Sequence, residues 1–214
     1  MSSPRQQRLR RFRDAILADE REEAHDTLFR VLYGLPADVQ IDLARALTAR
    51  FLPIFRANHP EVTWPETVLV DLHAYYSEHG QALYDEPEDS FGGDMSFHYA
   101  LYALLRALSH AEESHLYRVT PACCTALLWA VAARARNVWH ADDPEAVQAF
   151  ELRDREALAG RTMHDNVASR AVTKREWLIV ADWLDEHQIG DYPEADEDER
   201  ERWLAWWQER ECLL

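Results

Sequence analysis

Residues 121–139 read PACCTALLWAVAARARNVW, and this segment is apolar on all faces through Ala133 with no acid anywhere in it. A helix with no polar face must be enclosed by other elements. The run from Ala122 to Ala133 is also well short of the roughly 20 apolar residues that a membrane span needs. The segment therefore predicts the hub of a core, and the rest of the chain has to supply the elements that surround it.

Proline and glycine mark out those elements. Trp64-Pro65, Thr120-Pro121 and Asp143-Pro144 each place Pro at a first helical position, where its missing N–H is harmless. Gly34, Gly80, Gly160 and Gly190 each follow a periodic segment, where a left-handed C-terminal residue is wanted. Between these marks the apolar residues recur at helical spacing over 5–33, 37–51, 65–79 and 96–117, then over the hub and over 144–158. Pro53 breaks or kinks the second of these helices. Thr173 and Glu176 stand at capping-box spacing and open the next helix, and 194–211 closes the series. No stretch alternates with period two, and no Asn-Gly or Asp-Gly hairpin signal occurs. The expectation is an all-α fold, a single domain over 1–214, built as an irregular bundle of about seven to eight helices around the central apolar one.

Hydrophobic residues make up 47% of the chain, with 8 Trp, 8 Tyr and 7 Phe, which is too rich for disorder. Cys123, Cys124 and Cys212 form no disulfide framework, and the arginine-bearing N-terminus has no apolar stretch behind it. Both features predict a cytoplasmic protein. Lys174 is the only lysine among 23 basic residues, a bias expected of a GC-rich bacterial genome.

The formal charge of -16 argues against a nucleic-acid ligand, whose affinity would come from counterions released by Lys and Arg. It favours a basic protein partner, although excess acid also serves solubility. Two acidic stretches are the candidate partner-binding residues. One is Asp85, Glu86, Glu88 and Asp89 in the acidic loop QALYDEPEDSFGGD, and the other is Glu194, Asp196, Glu197, Asp198 and Glu199 in YPEADEDERERWLAWW. One or two acids satisfy a helix N-terminus, so the dipole does not account for the second run. Trp203, Trp206 and Trp207 follow it on one helical face, either as core packing or as a partner anchor. Five arginines in PRQQRLRRFR oppose the dipole of the first helix and call for acids of the same chain or an anionic surface.

Catalytic patterns are incomplete. Glu22/His25 and Glu112/His115 have the E-x-x-H spacing of carboxylate-bridged metal bundles, but the helices at 65–79 and 121–139 lack the further carboxylates such a centre requires. His25-Asp26 and His164-Asp165 have the dyad of helical metal-dependent phosphohydrolases without its surroundings. Cys123 and Cys124 sit in the first turns of the predicted hub helix, where a dipole lowers a thiol pKa, yet buried cysteine in an apolar helix is the commoner case. No phosphate-cradling loop, nucleophile elbow or zinc spacing occurs. The residues point to no catalytic site, no metal and no cofactor. The alternative is a helical metal-dependent hydrolase or a carboxylate-bridged metal protein.

The stretch ARARNVWHADDPEAVQAF, in a small acidic all-helical chain, resembles helix-turn-helix segments of immunity proteins of bacterial polymorphic toxins. The resemblance implies a non-enzymatic protein that binds one cognate toxin and blocks it, and the negative charge suits a basic, nuclease-type target. VADWLDEH is similar to a short helix of repeat-companion domains of large bacterial proteins.

Overall fold

The computed structural model describes residues 4–83, 92–151, 156–157, 159–187 and 197–208. Among these residues the chain is all-α, with eleven helices and no strand. In order they are α1 (Pro4–Ala18), α2 (Arg21–Tyr33), α3 (Ala37–Ala49), α4 (Leu52–Asn58), α5 (Trp64–Val70), α6 (Leu72–His79), α7 (Asp94–Glu112), α8 (Leu116–Asp142), α9 (Pro144–Glu151), α10 (Val167–Glu186) and α11 (Glu197–Gln208).

The count exceeds expectation because two continuous stripes are each cut in two and a further short helix, α4, follows the second predicted one. Asp19 takes a left-handed conformation, φ 62°, and the Glu20 N–H donates back to the Ala15 carbonyl at 2.9 Å, which ends α1 without a glycine. Pro53 opens α4 instead of kinking α3. At Asp71 the backbone leaves helical geometry, and the side-chain Oδ1 accepts the Ala74 N–H at 2.9 Å to start α6 afresh.

The apolar segment is the hub, as the longest helix. Helix α8 packs against α2, α3, α7, α9, α10 and α11. Val119, Cys123, Cys124, Ala126, Leu127, Ala130, Val131 and Ala133 are all buried on it. Every helix except α9 sends a side chain into the main core around α8, while Ala146 and Val147 of α9 join Ala135, Trp139 and Met163 in a smaller cluster. Helix α8 begins a turn before Pro121, which therefore lies inside the helix and not at its first position. No described helix is long and apolar enough to cross a membrane.

The predicted capping box at Thr173 and Glu176 is absent. Helix α10 starts earlier, capped by Asn166, whose Oδ1 accepts the Ser169 N–H at 2.8 Å. Thr173 is then interior and donates to the Ser169 carbonyl at 3.0 Å. Glu176 is buried and receives Arg50 at 2.8 Å and Arg134 at 3.3 Å. Burial pushes the Glu176 carboxyl up, but the hydrogen bond from Arg50 and the charges of Arg134, Arg50 and Arg175 outweigh it and leave it lowered. Glu176→Ala should cost about 3 kcal/mol in urea denaturation at pH 7, because it strands two guanidinium groups partly buried against α10. In the wild type this stabilisation is complete above the ordinary carboxylate range and is lost as pH falls below it.

Candidate partner-binding groove

The enclosure of α8 is incomplete on one side. Ala122, Thr125 and Trp129, spaced three and four residues apart, form a half-buried stripe with Arg118 one turn earlier. This stripe is the floor of a groove of about 520 Å³ whose walls are α7 and α11. Helix α7 contributes Tyr99, Tyr102, Arg106 and His110, again at three- and four-residue spacing, on the face opposite its buried Leu101, Leu104, Leu105 and Leu108. Helix α11 contributes Arg202 and Trp206. Tyr117 closes one end, with the Arg118 guanidinium over its ring at 5.3 Å. The Tyr99 ring stands 4.9 Å from Trp129, and the Arg136 guanidinium lies 5.9 Å from that same indole.

Two properties set this groove apart. Tyr99, Tyr102 and Tyr117 are each about two-fifths exposed at 41%, 41% and 42%, on a face where a solvated helix would carry Glu or Lys. The chain has 39 acids, yet among the described residues none lines the groove, while three arginines and a histidine do. Tyr, Trp and Arg without Lys, Asp or Glu is the composition of the centre of a protein interface. A second cavity, about 350 Å³ between α1, α2, α8 and α10, is lined in part by charged side chains that are engaged within the chain. There Arg170 pairs with Asp19 at 2.8 Å, and Lys174 donates to the Leu17 carbonyl at 2.6 Å.

Of the acids expected to meet a partner, Asp85, Glu86, Glu88, Asp89, Glu194 and Asp196 lie outside the described residues. Asp198 is exposed near the start of α11, and Glu199 follows it there with a side chain outside the described set. Glu197 has an internal role. Its carboxylate receives both terminal nitrogens of Arg30, at 2.8 and 3.3 Å, and Arg200 at 2.7 Å, and these hydrogen bonds, Arg30 first, lower its pKa. Asp26 grips the same two arginines, so a four-residue network ties α11 to α2. Trp203 is buried core, between His25 at 6.0 Å and Phe29 at 5.6 Å. Trp206 is half-buried in the groove, and the Trp207 side chain is outside the described residues.

Two of the N-terminal arginines find acids of the chain, Arg11 on Glu23, and Arg13 on Asp182 at 2.7 Å and Asp185 at 3.8 Å. The catalytic patterns come apart in three dimensions. Glu112 is exposed and faces His73 at 3.6 Å, while His115 contacts Glu113. His25 is buried against Trp177 and Trp203, with Asp26 turned toward arginines. Asp165 closes a turn by accepting from Thr162 N–H at 3.0 Å and Oγ1 at 2.6 Å. Cys123 and Cys124 are buried away from the start of α8, and burial pushes both thiols up, the reverse of what a helix N-terminus would do. No family model, no curated relative and no solved structure matches this chain.

Proposed function

We propose that this protein is a non-enzymatic binding protein that seats a partner protein in the groove between α7, α8 and α11. The observation that carries the reading is the exposed set Tyr99, Tyr102 and Tyr117 beside Trp129 and Trp206 in a lining that, among the described residues, holds no carboxylate. The aromatic faces supply apolar area that can be desolvated, and the arginines supply directed hydrogen bonds, so this patch provides affinity. The surplus acid elsewhere draws in a basic partner from a distance and sets the association rate. A basic, nuclease-type toxin, neutralised by direct binding in the cytoplasm, fits that division of labour and agrees with the resemblance to immunity proteins.

The test is protection. Cells expressing the product of the neighbouring gene should stop growing, and co-expression of this chain should restore growth. The Tyr102→Ala/Tyr117→Ala variant should fold and accumulate normally but lose protection, because two interface tyrosines together contribute about 2–4 kcal/mol or more. Full protection by that variant at equal abundance would refute the groove as the contact face.

A further inference from the structure

Helix α7 ends in a back-turn that brings together side chains from both sides of it. The Ser114 N–H donates to the Ala111 carbonyl at 3.2 Å, and the His115 N–H donates to the His110 carbonyl at 2.8 Å. Ser114 occupies the left-handed position with φ 60°. In this motif the residue five before the last donor packs against it, and that contact is normally hydrophobic. Here both positions are histidine, with ring centroids 6.4 Å apart. Glu113 projects between them, its Oε2 3.2 Å from His115 Nδ1. One donor atom from each of the three residues lies within 4.8 Å of the other two.

We propose that His110, Glu113 and His115 form a binding site for a divalent transition-metal ion of the zinc class. Two imidazoles and a carboxylate are the donor set of three-ligand zinc sites that keep a fourth position open. Both Nδ1 atoms are buried and form no hydrogen bond among the described residues, a costly condition that a metal ion relieves. The distance from His115 Nδ1 to Glu113 Oε2 is short, but its geometry is not that of a hydrogen bond. The carboxylate is held from behind. Ser109 Oγ donates to Glu113 Oε1 at 3.1 Å, and Gln81 Nε2 donates to Ser109 Oγ at 2.9 Å, which leaves Oε2 to face the histidines. Arg106 and Arg118 lie near enough to His110 to act on it electrostatically. The same arginines favour an anionic group or hydroxide at the open position. Closing the three donors onto one ion at about 2.0–2.2 Å needs side-chain rotations on the order of 1 Å.

The site is tested with Zn²⁺ alone on metal-stripped full-length protein, titrated against a chromophoric chelator, and with Co²⁺ followed by its visible absorption. Binding of about one equivalent is expected, weakened about 100-fold or more in His110→Ala and in His115→Ala and at least about tenfold in Glu113→Gln. Ser114→Gly keeps the back-turn and should leave binding unchanged, as should His73→Ala outside the triad. If His115→Ala loses its fold, the His115→Gln/Ser114→Gly variant replaces it. Wild-type affinity in the folded histidine variants, or no saturable binding by the wild type, would overturn the site.

Discussion

Gly93→Ala is expected to destabilise the protein by about 3 kcal/mol or more and to lower its Tm by roughly 6–12 °C. The reason is space rather than backbone freedom, since Gly93 has an ordinary φ of -88°. A Cβ there would lie 2.1 Å from the Ala133 carbonyl oxygen of α8 and 2.7 Å from the Phe51 ring. The carbonyl belongs to the central helix and cannot swing aside as a surface side chain would. Either α7 loses its close approach to the hub or Phe51, itself fully buried, leaves its place. Gly80→Ala makes a useful contrast. Nothing stands within 4 Å of that position, so only the left-handed φ of 63° is penalised, about 1 kcal/mol. Urea denaturation of the two variants should separate them by about 2 kcal/mol, and a Gly93→Ala protein within 0.5 kcal/mol of wild type would contradict this packing.

The second large effect is a loss of stability between pH 7 and pH 5, earlier than carboxylates alone would produce. His25 is buried between Trp177 and Trp203, and burial, reinforced by Arg21, lowers its pKa to about 3. The unfolded imidazole titrates near 6.5, so between pH 6.5 and pH 3 the unfolded chain holds a proton that the folded chain refuses. Stability is therefore complete above about pH 6.5 and falls by up to about 1.4 kcal/mol per unit as pH decreases through that window. About 2 kcal/mol should vanish between pH 7 and pH 5, where most carboxylates are still ionised. His25→Phe keeps an aromatic ring between the indoles and should remove more than half of that dependence, the remainder including His110, whose pKa is lowered in the same direction. A variant with the wild-type slope would show that another group controls it.

The helices were legible because apolar spacing and the punctuation at Pro53, Gly34 and Gly80 are local signals. The breaks inside the first and third stripes were not. Asp19 and Ser114 hold left-handed turns that sequence rules assign to glycine, and Asp71 caps a helix in the middle of a continuous stripe. The start of α10 is chemically ambiguous in the sequence, since Thr173 and Glu176 have capping spacing whether or not a tertiary arginine pair claims the glutamate. The apolar run of α8 was visible, but which of its faces would stay uncovered depends on how α7 and α11 pack. The α7 tyrosines did carry a signal, two aromatics and an arginine at 99, 102 and 106 on the face away from the leucines. The His110–Glu113–His115 triad is invisible to linear spacing because a left-handed serine creates it.

Binding kinetics of the neighbouring-gene product on immobilised protein test the central claim most directly. Tyr99→Ala/Tyr102→Ala/Tyr117→Ala should raise Kd at least about 100-fold, mainly through faster dissociation, as expected for loss of a desolvated anchor. Reversal of Glu194, Asp196, Asp198 and Glu199 to Lys should instead slow association about tenfold at low salt, an effect that fades as ionic strength rises. Val70→Ala and Val167→Ala, exposed apolar positions outside the groove, should change neither rate. Unchanged dissociation of the tyrosine variant, with its fold intact, would place the contact elsewhere and contradict the account.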